Sequence, residues 1–162
     1  MKKLSVWVIG MSILIAVALP LMAQGPDGSH IYAYPPIRVA NLPVNPDQPS
    51  GILPVEFKAA YGFNRIPNLG QGQTIALVDA FDDPNIASDL AFYASYFHLT
   101  PCNFQKVVVG SPGGNEDWGL EMSLDVEQAC ALAPQAQIIL VEANSNSFSD
   151  LLDAVAVASS SP

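Results

Sequence analysis

The chain has 162 residues, a formal net charge of −9, and 15 acidic against 6 basic residues. This length leaves room for one domain at most. An acidic chain without a basic patch is a poor partner for nucleic acid or for anionic lipid. Its two histidines, His30 and His98, lie far apart and no Cys-x-x-Cys motif is present, so the histidines and cysteines give no support for a metal site.

The first 23 residues have the pattern of a secretory signal peptide. Lys2 and Lys3 precede a charge-free apolar run that ends near the small residue Ala23. This pattern predicts cleavage and a secreted, periplasmic or extracellular location, with no membrane association after cleavage. A retained membrane anchor is the alternative, because the apolar run is long.

Residues 24–51 are rich in proline and are expected to form an extended or disordered leader. The ordered part is expected to cover residues 52–162. It opens with a short helix predicted at residues 54–60, which Gly62 ends, and a turn is predicted around Gly70 and Gly72.

The remaining chain alternates short apolar runs with amphipathic segments. The predicted strands are residues 74–78, 106–109 and 137–142. The predicted helices are residues 84–99, 118–133 and 151–159. Asp83 and Pro84 are expected to cap the first of these helices, and a capping box is expected at Ser147 and Asp150 before the last. The order β-α-β-α-β-α predicts an α/β fold, with a parallel sheet, right-handed crossovers and flanking helices.

The helix predicted at residues 118–133 carries a polar stripe formed by Glu121, Asp125 and Gln128, at i, i+4 and i+7. Two apolar sectors are predicted to enclose it, one formed by Leu120, Leu124 and Ala131 and the other by Met122, Val126, Ala129 and Ala133. Two stacked carboxylates repel each other unless one holds a proton or a third group shares the charge. Burial between apolar walls should therefore raise the pKa of at least one of them.

Asp79 follows the first predicted strand, and Glu121 and Asp125 lie in the first half of their helix. In an open α/β sheet these positions share the edge formed by the carboxyl ends of the strands, where functional sites are placed. A buried carboxylate pair can act as general acid and base, or relay a proton from a nucleophile. The same i, i+4 spacing is also common on helices without such a role.

Three further features of the sequence have two readings each. Asp79, Asp82 and Asp83 are a candidate cation site, although two of them also suit cap and turn positions. Trp118 is expected either to line a pocket or to pack in the core. Cys102 and Cys130 either form a disulfide or are two buried thiols, and their spacing does not decide between these.

Several segments together resemble the sedolisin family of serine-carboxyl peptidases. They are Gly72-Gln-Thr-Ile-Ala-Leu-Val-Asp-Ala-Phe-Asp-Asp-Pro-Asn-Ile, Glu121-Met-Ser-Leu-Asp-Val-Glu and Ala133-Pro-Gln-Ala-Gln-Ile-Ile-Leu-Val-Glu-Ala. The stretch at residues 54–63, with Ala-Tyr-Gly-Phe, resembles the start of the family's catalytic domain. The resemblance covers residues 52–160 and implies a subtilisin-like α/β fold that cleaves polypeptides at acidic pH.

The resemblance also implies a role for each acid. Glu121 matches the glutamate that acts as general base toward a serine nucleophile, and Asp125 matches the aspartate that orients that base. Asp79 falls where some members of the family place a further, supporting carboxylate. A glutamate base suits acidic conditions better than histidine, which would be protonated there.

The chain departs from the family pattern in what it lacks. The family's nucleophilic serine lies in a Gly-Thr-Ser motif, which this sequence does not contain, and the family's oxyanion aspartate and calcium site also lie downstream of the matched region. Residues 52–162 are therefore expected to be the N-terminal part of a peptidase domain, without a cofactor and inactive alone, with a C-terminal half as a missing partner. The alternatives are a secreted non-catalytic α/β module that binds peptides and a non-functional gene fragment.

Overall fold

The computed structural model describes residues 30–35 and 52–160. Its helices and strands are α1 (Pro54–Ala60), β1 (Thr74–Ala80), α2 (Ile86–Tyr96), β2 (Asn103–Val108), α3 (Glu116–Leu132), β3 (Gln137–Ala143) and α4 (Phe148–Ser160). The predicted alternation of strands and helices is confirmed. The predicted signal peptide and most of the predicted leader lie outside the described residues.

The three strands form one parallel sheet in the order β1-β3-β2. Thr74 of β1 and Asn103 of β2 both pair with Gln137 of the central strand. The carboxyl ends of all three strands therefore meet at one edge. The predicted α/β fold with a parallel sheet is confirmed at this level.

Side chains alternate between the two faces of the sheet, as the period of a strand requires. Leu77, Ile138 and Leu140 pack with α2 and α3 on one face. Ile139 and Val141 pack with α4 on the other face. Because β3 is covered on both faces, it is apolar along most of its length.

The boundaries of α2, α3 and α4 differ from the prediction, and α4 begins three residues early, at Phe148. The carboxylate of Asp83 accepts a hydrogen bond from the amide of Asn85 at 2.8 Å, so Asp83 and Pro84 form a turn, and α2 begins only at Ile86. Helix α3 begins two residues earlier than predicted, at Glu116. The reason is that the side chain of Asn115 accepts a hydrogen bond from the amide of Trp118 at 3.1 Å and caps the helix.

Strands β1 and β2 are longer than predicted. Asp79 is the sixth residue of β1 and does not follow the strand, and β2 begins at Asn103 and ends at Val108. The capping box before α4 is half formed. Ser147 Oγ accepts a hydrogen bond from the amide of Asp150 at 3.2 Å, whereas the Asp150 carboxylate accepts one from the hydroxyl of Ser145.

Cys102 and Cys130 form a disulfide, with their Cα atoms 5.5 Å apart. This decides between the two readings that the sequence leaves open. The bond joins the residue before β2 to the last turns of α3. It thereby fixes one end of α3 against the sheet.

Residues 30–35 of the leader lie along the loop between β3 and α4. The amide of Ala33 donates to the carbonyl of Asn146 at 2.8 Å, and the Asn146 side-chain amide donates to the carbonyl of Ala33 at 2.6 Å. Tyr32 and Ser147 form an antiparallel bridge, and Ala33 is buried in the core. This part of the leader is extended and is held by backbone pairing.

Within residues 52–160 and the short segment 30–35, the structure contains no helix long and apolar enough to cross a membrane.

Candidate active site

The face of the sheet that packs against α3 changes from apolar to charged toward its carboxyl edge. Leu77 and Leu140 are followed, two residues later, by Asp79 and Glu142, which are partners in the strand register. Asp79 is 3 % exposed and Glu142 is fully buried. Two carboxylates on neighbouring strands therefore lie side by side beneath α3.

Helix α3 contributes Glu121 and Asp125 to the same region. Glu121 is 5 % exposed and Asp125 is half-buried. Both carboxylates act on Asp79, since their charges, after burial, raise its pKa well above the ordinary value. The structure thus brings together the three acids that the sequence singles out, and adds Glu142 to them.

The prediction that apolar side chains enclose the acidic stripe on both sides is only partly correct. Met122 and Val126 are fully buried against the sheet, as expected. Leu120 and Leu124 are 44 % and 46 % exposed, whereas Ala131 of the same predicted sector is buried, so only part of the second apolar wall is covered. A helical pattern shows that two apolar sectors exist, but which of them meets the core depends on the contacts of the helix.

Two other residues near the stripe have structural roles. Gln128 donates from Nε2 to the hydroxyl of Tyr93 at 3.4 Å, which links α3 to α2. Trp118 is buried and belongs to the core beneath α3. Of its two predicted readings, core packing is therefore the one observed.

Burial dominates the acid–base properties of this group. It raises the pKa of Glu121, and burial together with the charge of Glu121 raises the pKa of Asp125 to about 7. Asp79 Oδ2 and Glu121 Oε2 have no hydrogen-bond partner among the described residues. A group of carboxylates with raised pKa values and free lone pairs can accept or donate protons in mildly acidic solution.

A lysine that sequence analysis did not select contacts this group of acids. Lys106 Nζ lies 2.9 Å from Glu142 Oε2, 2.6 Å from Asp82 Oδ1 and 2.8 Å from the carbonyl oxygen of Asp83. Burial acts to lower the pKa of Lys106, but the hydrogen bonds to Asp82 and Glu142 outweigh it and raise that pKa. The hydrogen bond from Lys106 in turn lowers the pKa of Asp82.

The turn after β1 presents its acids to Lys106 through an unusual backbone conformation. Phe81 has φ 68°, in the left-handed region that bulky residues seldom adopt. Two backbone hydrogen bonds hold it, from Phe81 N to Ala143 O at 2.9 Å and from Asp82 N to Gly113 O at 3.0 Å. Strained residues of this kind persist where the surrounding structure fixes them, often beside a functional site.

The alternative of a cation held by Asp79, Asp82 and Asp83 finds no support in this geometry. Asp82 is paired with Lys106 and Asp83 closes a turn. In the part of the chain that the structure describes, no three or more His, Cys, Asp or Glu side chains are arranged so that they could hold a metal ion.

The sequence contains a signal for Glu142 and Lys106. Ile138, Leu140 and Glu142 are alternate residues of one strand, and Phe104 and Lys106 are alternate residues of another. Strand periodicity therefore places both charged residues on the inward face. A charged residue at an inward-facing strand position is the observation that would have selected them.

A cavity of about 730 Å³ lies away from these acids, between α2 and the loop that leads into β2. His98, Leu99 and the Cys102–Cys130 disulfide are among its lining residues, and none of Asp79, Glu121 and Asp125 lines it. This cavity lacks the convergent acids. We therefore place the candidate active site at the carboxyl edge of the sheet.

Comparison with models of known protein families gives no match for the chain, and a search of curated proteins finds no similar sequence.

Proposed function

We propose that residues 52–160 belong to a subtilisin-like peptidase domain of the sedolisin type, which is exported and hydrolyses polypeptides at acidic pH. The observation that carries this proposal is the meeting of Asp79, Glu121 and Asp125 at the carboxyl edge of a parallel sheet. These are the positions at which the resemblance implies the base, its orienting acid and a supporting acid.

In this mechanism Glu121 removes the proton from a serine nucleophile as that serine attacks the peptide carbonyl. A general base should have a pKa near the working pH. Burial raises the pKa of Glu121 above its ordinary value, which makes its carboxylate a stronger base in mildly acidic solution. Asp125 lies one helical turn away from Glu121, and the two carboxylates interact electrostatically. The pKa of Asp125 is raised more strongly than that of Glu121. The sequence contains no Gly-Thr-Ser motif, so the proposal takes the serine from a further polypeptide segment.

One structural feature and one sequence pattern support an exported protein. Disulfides persist in oxidising compartments and are rare in the cytosol, and this chain has its two cysteines joined. The basic and apolar pattern of the first 23 residues supports the same location.

The first test replaces the proposed base. The protein to test is the one obtained if the reading frame continues past codon 162 and includes a Gly-Thr-Ser motif. In that protein, Glu121→Gln should lower kcat for the cleavage of an unfolded protein substrate at about pH 4 by about 10⁴-fold or more. Glu127→Gln is the matched control, because Glu127 lies on the same helix but is influenced by Asp89. The 162-residue chain alone should give no cleavage.

Two results would contradict the peptidase proposal. One is a Glu121→Gln enzyme that keeps more than about a tenth of its activity, since losing an essential base costs orders of magnitude. The other is an equal loss in the Glu127→Gln control, which would indicate a general effect of altering α3.

A second candidate function is a non-catalytic module that binds extended peptides. The observation that favours it is the backbone pairing of the chain's own segment 30–35 with Asn146 and Ser147. Strand addition of this kind is a common mode of peptide recognition. The segment would then occupy a binding surface, formed by Asn146 and Ser147, to which other polypeptides can also bind.

Displacing the segment tests this candidate. Ala33→Asp places a carboxylate at a buried position and should displace segment 30–35 from the loop between β3 and α4. A labelled peptide with the sequence of residues 30–35 should then bind this variant about tenfold more tightly than it binds the unaltered chain, as measured by fluorescence anisotropy. Adding Asn146→Ala should weaken that binding about fivefold or more, because a hydrogen bond is lost. The exposed residue Asn64, changed to Ala, is the matched control. Binding that disappears with Glu121→Gln and Asp125→Asn would instead favour the acidic edge.

A further inference from the structure

Lys106 is the cation that the described residues place against the buried carboxylates. It projects from β2 on the face that carries Phe104, and it reaches across the sheet edge to Glu142 on β3 and to the turn after β1. Three oxygen atoms surround its ammonium group within 2.9 Å. A lysine held by three oxygen atoms from two separate segments is fixed in position.

Each oxygen of Glu142 faces a positively polarised group, although only Oε1 accepts a hydrogen bond of normal geometry. Oε1 accepts a hydrogen bond from the amide of Asp83 at 3.0 Å, and Oε2 lies 2.9 Å from Lys106 Nζ. Its neighbour in the register, Asp79, has an oxygen without a partner among the described residues. Burial still raises the pKa of Glu142, but the Asp83 amide and Lys106 oppose that effect. Asp79 has no such compensation, so Asp79 is the one of the two that more readily holds a proton.

Two adjacent buried carboxylates do not both ionise without a large electrostatic cost. If Lys106 holds Glu142 ionised, the proton that this pair retains resides on Asp79. A neutral Asp79 does not repel Asp125 and Glu121, so the acids of α3 can then lose their protons at lower pH.

We propose that Lys106 is a positioning residue of the candidate active site, which acts through Glu142 to determine which buried carboxylate keeps a proton. For catalysis, Lys106 would shift the pH range in which Glu121 serves as base, and this consequence rests on the proposed function. The coupling itself does not, because it is a property of the folded chain and can be measured without any substrate.

The charges around Glu142 come from four parts of the fold. Lys106 faces it from β2, Asp82 and the Asp83 amide face it from the turn after β1, and Asp79 faces it from β1. Asp125 and Glu121 of α3 act on Asp79. Burial raises the pKa of Glu142, while the Asp83 amide and Lys106 oppose that effect.

Asp79 stays neutral because of its own burial. Removing the lysine charge should therefore leave Glu142 protonated as well, so that the folded chain holds up to one further proton. With Lys106→Met, Glu142 loses its cation and stays protonated in the folded state to higher pH. Since the unfolded chain releases that proton near its ordinary pKa of about 4.3, the variant loses stability more steeply as the pH rises.

The experiment measures the unfolding constant of the full chain by urea denaturation between about pH 4 and pH 7. The slope of its logarithm against pH equals the number of protons released on unfolding. Lys106→Met should steepen this slope by up to one proton, so that the unfolding constant rises by up to about 100-fold more over two pH units than in the unaltered chain.

Three further variants make the result specific. Lys106→Arg keeps the charge and should keep the original slope. Lys106→Met combined with Glu142→Gln removes the titrating group and should return the slope to the original value. Lys58→Met removes a lysine of α1, which forms no ion pair within the described residues, and should leave the slope unchanged.

Parallel profiles for Lys106→Met and the unaltered chain would overturn the inference, as would a steep slope that persists in the double variant. If Lys106→Met is unfolded at neutral pH, the comparison is made from pH 4 upward, where protonation of Glu142 relieves the missing charge. The expected slopes in a protein that never cleaves peptides would uphold the coupling and overturn the peptidase function instead.

Discussion

The folded chain should lose stability as the pH rises from about 4 to about 7. Asp125 and Glu127 both have pKa values of about 7 in the folded state, the first through burial and Glu121, the second through burial and Asp89. Burial and neighbouring acids raise the pKa of Asp79 as well. The folded state therefore keeps protons that the unfolded chain releases above about pH 4.

The sign of the effect follows from this difference in bound protons. Below the pKa values that these groups have in the unfolded chain, both states are protonated and the groups make their full contribution to the free energy of unfolding. This contribution is lost as the pH rises through the pKa values of the folded chain. A shift of three pKa units corresponds to about 4 kcal/mol for a fully buried group. Allowing half of this for the partial exposure of Asp125 and Glu127, the two together should remove about 4 kcal/mol between pH 4 and pH 7.

Urea denaturation at a series of pH values measures this loss directly. Asp125→Asn removes one of the titrating groups and should raise the free energy of unfolding at pH 7 by about 1–2 kcal/mol while flattening the pH profile. Asp153→Asn, at an exposed position of α4, is the matched control and should leave the profile unchanged. A chain whose stability is constant or increases toward pH 7 would contradict the expectation.

Loss of the Cys102–Cys130 disulfide should destabilise the chain by about 3–4 kcal/mol. The two cysteines are separated by 28 residues in the sequence, and a loop of that size accounts for this magnitude through the restriction of the unfolded chain. The bond also joins the end of α3 to the start of β2. It therefore helps to hold the helix that carries Glu121 and Asp125 in place above the sheet.

The comparison is between the oxidised chain and the variant with both Cys102→Ala and Cys130→Ala, by thermal and urea unfolding. Reduction of the unaltered chain should lower the stability by a similar amount, which separates the effect of the cross-link from that of the altered side chains. A change below about 1 kcal/mol would contradict a stabilising role for the bond. Cooperative unfolding of the oxidised monomer would also count against the reading of the chain as a non-functional fragment.

The sequence by itself determined the type of fold and three of the five charged residues of the candidate site. Strand runs and helix periodicity are local patterns, so they correctly predicted the alternating elements and the parallel sheet. The spacing of Glu121 and Asp125 placed them on one helix face, and chain order placed Asp79 at the carboxyl edge. Helix starts were less accurate, because side-chain caps such as that of Asn115 compete with propensity over one or two residues.

The tertiary structure alone decided which side chains meet. The order β1-β3-β2 makes Asp79 and Glu142 neighbours and brings Lys106 to the same edge, and no local pattern specifies that order. Only the packing of α3 shows that Met122 is buried while Leu124 is exposed, and only the folded chain joins Cys102 to Cys130. The periodicity of a helix or strand determines which of its residues lie on the same face. The element against which that face packs depends on contacts between residues that are distant in sequence. The sequence therefore identified the acids, and the fold supplied the lysine and the fourth carboxylate that control their charge.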